Sequence, residues 1–322
     1  MTHPTQVMDE TGAGLRSGEW VEVRSAEEIA GTLDANGTLD GLPFMPEMLN
    51  YCGRRFRVLR QAEKTCVEVA SGDYAIREFQ GNDVVLLEGL RCSGANHDWC
   101  QRACMLFWKM AWLQRASGDR PAPPAGAAGR DKLLSSLKTI SEPGRYFCQS
   151  TELVRATGSL PRARILLKCL RDVRSGAVGA LKMMRLILVP LWRKATVRFR
   201  RPLVGALTQT PVGQLGLQPG EIVRVKSLEQ IVQTLDQKGR NRGLQCYVEL
   251  GQFSGRSYRV RTRLDRMIAE PTGQMRKVQG TVILEDNNCL CANVLGGCPR
   301  QDYTYWREVW LERVNHKPGD TG

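Results

Sequence analysis

Residues 18–37 read GEWVEVRSAEEIAGTLDANG, and residues 220–239 read GEIVRVKSLEQIVQTLDQKG. The match continues without a gap to Val58 and Val260. It pairs Ser25 with Ser227, Leu33 with Leu235, Asp34 with Asp236, Glu47 with Glu249 and Gly53 with Gly255. Beyond it, VVLLEGLRC (84–92) faces TVILEDNNC (281–289). FWKMAWLQR (107–115) then faces YWREVWLER (305–313) after a net four-residue deletion. Trp108/Trp306 and Trp112/Trp310 keep this register, so the chain is an internal duplication.

Each copy reads as β-rich. WVEVRS and IVRVKS alternate apolar and polar residues, the pattern of a half-buried strand. Ser25 and Ser227 are suited to cap a short helix. Glu28 and Gln230, three residues on, complete a capping box. RRFRVLR and RSYRVRT, DVVLLEGL and TVILED, and KMAWLQR and REVWLER supply further strands. Four or five short strands with one helical insertion predict a small antiparallel barrel, of SH3-like type, in each copy.

The chain has 322 residues and a net charge of +13. Residues 117–217 hold 18 Lys or Arg against 5 Asp or Glu, an excess equal to that of the whole chain. Residues 117–130 form a Pro/Gly/Ala-rich linker. From Asp131 the pattern turns helical, with apolar runs studded by Lys and Arg and with Pro190 expected to kink or end a helix. Three roles fit this segment. It bridges the barrels with its cations solvated. Or it lies on an anionic membrane, with Met183, Leu186, Ile187, Leu191 and Trp192 inward and Lys182, Arg185, Arg193 and Lys194 outward. Or its basic stripe holds nucleic-acid phosphates. The candidate binding surface comprises Lys182, Arg185, Arg193, Lys194, Arg198, Arg200 and Arg201. An anionic membrane or an acidic protein is the leading partner, and nucleic acid the alternative. No small-molecule substrate is inferred.

The 11 cysteines are unevenly used. The first copy carries CSGANHDWCQRAC, a C-x7-C-x3-C run ending at Cys104, with Cys66 upstream. Cys289 answers Cys92 and Cys298 answers Cys100, but Ile268 and Asp302 stand where Cys66 and Cys104 would be. Cys66, Cys92, Cys100 and Cys104 are therefore the candidate metal ligands. Zinc is favoured and an iron–sulfur cluster is the alternative, because four thiolates can close a tetrahedron about either. Competing readings are buried structural thiols and a redox disulfide. Cys289, Cys291 and Cys298 form a weaker second candidate. His97 is expected to be an exposed loop residue rather than a ligand. Cys148 and Cys169 are expected in the core.

With only His3, His97 and His316 present, histidine-dependent acid–base catalysis has little to draw on. No GxSxG, Walker A, GxGxxG or HExxH motif occurs. No catalytic residue is assigned. Glu47 and Glu249 are expected to pair with arginines of their own barrels, Arg55 or Arg57 and Arg256 or Arg259. The start, MTHPTQVMDETGAG, lacks the basic and apolar regions of a secretory signal, and no 18-residue apolar run appears. A cytoplasmic protein, peripheral to the membrane under the second reading above, is expected.

Taken together, Glu88-Gly-Leu-Arg-Cys92, Trp108-Lys-Met-Ala-Trp112, Gly144-Arg-Tyr-Phe-Cys148-Gln and Tyr305-Trp-Arg-Glu-Val-Trp310 resemble an uncharacterised bacterial protein family with two related Cys/Trp-containing repeats. The resemblance implies no activity. The expected architecture is α+β. It has a flexible N-terminus (1–17), a first barrel with the cysteine cluster (18–116), the linker (117–130), a basic helical segment (131–217), a second barrel (218–315) and a tail (316–322). The expected function is that of a non-catalytic cysteine-metal scaffold or accessory protein whose basic segment docks an acidic surface. A nucleic-acid-binding module and an iron–sulfur or thiol redox enzyme are the alternatives.

Overall fold

The computed structural model describes residues 14–69, 74–116, 127–196, 203–289, 297 and 299–314, without the side chains of 127, 128, 162, 190 and 193–196. The chain divides into two compact units. One comprises Met1–Leu188 with Ile268–Met275 and Asn293–Arg300, and the other holds the remainder.

In the first unit the elements run β1 (Trp20–Val23), α1 (Ala26–Ala30), β2 (Arg55–Gln61), β3 (Thr65–Glu68), β4 (Tyr74–Phe79), β5 (Val84–Arg91), β6 (Met105–Lys109) and β7 (Leu113–Arg115). They continue as α2 (Ala127–Ser136), α3 (Gln149–Ala156), β8 (Thr157–Ser159) and α4 (Arg162–Arg174), followed by α5 (Ala180–Thr196), of which the part up to Leu188 belongs to this unit. Five strands make an antiparallel sheet in the order β6-β5-β2-β1-β7, and β8-β4-β3 form a smaller one. Register shifts in the β2–β5 and β5–β6 pairs bend the large sheet. Val21 and Val23 of β1 point inward, as the alternation predicts, while Trp20 stays exposed beneath Arg57. Trp108 and Trp112 are fully buried and meet Phe44 edge to face at 6.4 and 5.2 Å.

The capping box forms as expected. Ser25 accepts from the Glu28 backbone N–H, and Glu28 accepts from the Ser25 N–H. Asp34 then closes the following turn by accepting from the backbone N–H groups of Asn36 and Thr38.

The first unit does not stop at residue 116. Gln149, at the start of α3, uses its side-chain amide as a strand surrogate at the edge of β6. Its Oε1 accepts from Phe107 N at 2.8 Å and its Nε2 donates to Phe107 O at 2.9 Å. Buried ions hold α4: Asp172, fully buried, accepts from Arg60 at 2.8 Å and from Lys64 at 3.2 Å. Lys168 pairs with Glu63 and Glu78. Two later stretches of chain also belong here, through Glu270, which is bonded to Arg102, Arg300 and Ser150.

The second unit repeats the large sheet. Its elements are β9 (Ile222–Val225), α6 (Leu228–Val232), β10 (Ser257–Arg263), β11 (Thr281–Asn288), β12 (Tyr303–Arg307) and β13 (Leu311–Arg313). The order is β12-β11-β10-β9-β13. Ser227 and Gln230 form the matching capping box, and Trp306 and Trp310 are fully buried.

The middle segment departs from expectation. Helix α2 begins at Ala127, inside the stretch read as linker. A hairpin, Ile140–Glu142 with Arg145–Tyr146, interrupts the helices. Residues 203–217 are not helical. They pack Leu203, Leu215 and Leu217 on the second core, and Leu217 N donates to Glu308. Helix α5 runs through Pro190 to Thr196 rather than ending there.

Candidate metal centre

The 3₁₀ turn Pro46–Tyr51 buries Glu47 in the first unit. Its Oε2 accepts from Asn96 Nδ2 at 3.3 Å, while its Oε1 is buried without a hydrogen-bond partner. Among the described residues no Lys, Arg or His lies within ion-pair distance of Glu47, and Arg55 pairs with Glu22 instead. The expected arginine partner of Glu47 is therefore absent from its surroundings. A buried carboxylate without a cation is costly and calls for neutralisation.

The loop after β5 brings two further donor groups to this carboxylate. Candidate ligand atoms of Glu47, Cys92 and His97 all lie within 4.8 Å of one another, the one such group of three or more among the described residues. Gly94 gives the loop its tightness. At φ +74 its backbone passes so close to Cys100 that a Cβ would meet the Cys100 carbonyl oxygen at 2.0 Å. Gly94 also points its N–H at the Cys92 sulfur, 3.3 Å away. Asp98, Trp99 and Ala103 adopt positive φ in the same loop. Burial first, and then the negative charge of Glu47, push the Cys92 thiol far above its ordinary range. A bound cation would reverse that balance by favouring the thiolate.

His97 is 1% exposed, which corrects the expectation of an exposed loop residue. The chain leading into α3 covers it. Its Nε2 lies 3.3 Å from the Phe147 carbonyl oxygen, and its ring packs against Tyr146. An Nε2–H donated to that carbonyl leaves Nδ1 with the lone pair, the second-sphere arrangement that metal-binding histidines use.

The four cysteines read from the sequence divide. Cys92 belongs to the group with Glu47 and His97. Cys92 and His97, but not Glu47, line a cavity of about 40 Å³ together with Cys100, Cys104 and Cys148. Cys100 is buried, and its sulfur accepts from Ile268 N at 3.4 Å. Cys66 sits on β3 and is not among the cavity's lining residues. Its carbonyl accepts from Arg300 at 2.8 Å. Cys148 and Cys169 are buried, as expected of core cysteines. Cys291 and Cys298 lie outside the described residues, and Cys289 is exposed.

Counting sulfurs alone hid this site. The repeats align Ala95-Asn96-His97 with Ala292-Asn293-Val294, so the imidazole, like Cys66 and Cys104, is peculiar to the first copy. Glu47 and Cys92 have counterparts in Glu249 and Cys289.

Of the candidate surface cations, Lys182 and Arg185 are exposed on α5. The side chains of Arg193 and Lys194, and all of Arg198, Arg200 and Arg201, lie outside the described residues. Among the described residues no helix is long and apolar enough to cross a membrane. Comparison with protein-family models, with curated proteins and with solved structures gives no match.

Proposed function

We propose that the protein is a non-catalytic accessory or scaffold protein whose first unit is stiffened by one zinc ion held by Glu47, Cys92 and His97. The observation that carries this reading is Glu47: buried, with one oxygen unpartnered, no cation in reach, and a thiol and an imidazole within 4.8 Å. One carboxylate, one thiolate and one imidazole suit zinc, whereas an iron–sulfur cluster calls for more thiolates. The ion would neutralise the carboxylate and tie the Pro46–Tyr51 turn to the loop after β5. In this reading the protein works in a reducing cytoplasm, where Cys92 remains available as thiolate. The SH3-like assignment is part of the proposal. It is supported by first and last strands that pair side by side and by a 3₁₀ turn between the final two strands of each sheet.

Elemental analysis of the purified full chain tests it. About one zinc per chain is expected, lost in Cys92→Ser and in His97→Ala. The ion should be kept in Cys66→Ser, Cys104→Ser and Cys289→Ser. Zinc that survives Cys92→Ser but disappears with Cys66→Ser or Cys104→Ser would move the site to the cysteine set. Metal-free wild-type protein that takes up no zinc on titration would end the proposal.

A further inference from the structure

Helices α4 and α5 each carry two apolar stripes. The inner stripes, Ile165, Cys169 and Met183 with Leu186 and Ile187 partly buried, meet in one small core with Leu160 and Val178. Met183, Leu186 and Ile187 are thus committed inward to the protein, which corrects their expected place against a membrane. The outer stripes remain in solvent. They are Leu166, Leu167 and Leu170 on α4, and Leu181, Met184 and Leu188 on α5, each at least 54% exposed and Leu181 at 83%. Residues 181, 184 and 188 recur at the helical spacing that builds one face, turned about 130° from Met183.

The charges around these leucines have one sign. Asp172 is the only acidic residue in either helix, and it is fully buried between Arg60 and Lys64. Every exposed charge described on the two helices is therefore positive: Arg164, Arg171, Arg174, Lys182 and Arg185. Among the described residues no carboxylate comes within 4.0 Å of Arg174, Lys182 or Arg185, and the two that reach Arg164 and Arg171, Glu78 and Glu63, are themselves buried. Nucleic acid would use the cations but leave six large apolar side chains in water. An anionic bilayer accepts both: its headgroups take the cations and its acyl boundary takes the leucines.

We infer that the outer face of α4 and α5, up to Leu188, docks on an anionic lipid surface without crossing it. The test is flotation of the full chain with vesicles of phosphatidylcholine alone and with about 30% phosphatidylserine. Binding at least about tenfold stronger to the anionic vesicles is expected. It should be lost in Leu181→Gln/Met184→Gln/Leu188→Gln, and weakened at least about tenfold in Lys182→Glu/Arg185→Glu. Leu166→Gln/Leu170→Gln, on the other helix, provides a second apolar variant, and circular dichroism verifies that each remains folded. No binding to anionic vesicles overturns the inference. So does binding that the apolar variants leave intact, or binding to mixed-sequence RNA stronger than to the vesicles.

Discussion

The two five-stranded sheets were built from one plan and have been spent differently. Both keep the serine-capped helix, the aspartate-closed turn and two buried tryptophans. Both indoles at the last 3₁₀ turn donate to a threonine hydroxyl, Trp112 to Thr32 and Trp310 to Thr234. They part company in how they treat buried polarity. Around its own buried tryptophan the second unit pairs donor with acceptor: Trp306 donates to Asn287, and Arg307 donates to Thr281 Oγ1 and to the carbonyls of Gln279, Asn241 and Arg242. The first unit leaves the Trp108 indole nitrogen and a Glu47 oxygen unpartnered, and buries several ion pairs besides. What was duplicated is the packing scaffold. What diverged is the use of charge within it, and among the described residues the candidate cation group lies in the first unit, around Glu47.

The largest stability effect expected from this contrast is at Asp172. Asp172→Ala leaves Lys64 and Arg60 buried without their shared anion and should destabilise the first unit by about 3–5 kcal/mol. Urea unfolding should show it, and a loss below about 1 kcal/mol would mean that water reaches the pair. Next comes Asn287→Leu, which places in the second copy the residue type that Leu90 supplies in the first. It should cost about 1–3 kcal/mol by orphaning the Trp306 N–H. An unchanged melting temperature would show that the first unit's orphaned indole also carries no penalty. The smallest effect is confined to acid. Burial alone would raise the Glu270 carboxyl, but Arg300 and Arg102 beside it outweigh burial and hold it below its ordinary value. A depressed carboxyl contributes stability that is full above roughly pH 4.3 and disappears as pH falls through the lower folded value. Melting temperatures taken between about pH 6 and pH 3 should therefore fall more steeply for the wild type than for Glu270→Gln. Parallel curves would remove Glu270 from the acid response.

Much of the architecture was legible because duplication makes local signals vote twice. Ser25 and Ser227, Asp34 and Asp236, and the paired tryptophans each gain weight from a partner at the same register. The helical middle was harder to read. Gln149 completing a strand edge, Asp172 anchoring α4 and Glu270 reaching Arg102 are contacts between residues distant in the chain, and periodicity carries no trace of them. The candidate centre was half legible. Cys92 was marked by the spacing of its loop. Glu47 was judged by the arginines nearest in sequence, and His97 by the polarity of its neighbours. Burial reversed both readings, because the chain before α3 and the Pro46–Tyr51 turn before β2 close over the loop. The amphipathic character of α5 was visible, but which of its two apolar stripes meets protein was not, since a helical wheel with two such faces is symmetric to the eye.

The dependence of the first unit on Glu270 and Arg300 bears on how this chain is made. A ribosome delivers Arg102 and Ser150 long before it delivers Glu270 and Arg300, so the first unit must wait, with cationic and polar groups uncovered, until Arg300 has emerged. Its completion is a late event in biosynthesis, even though its sequence comes first.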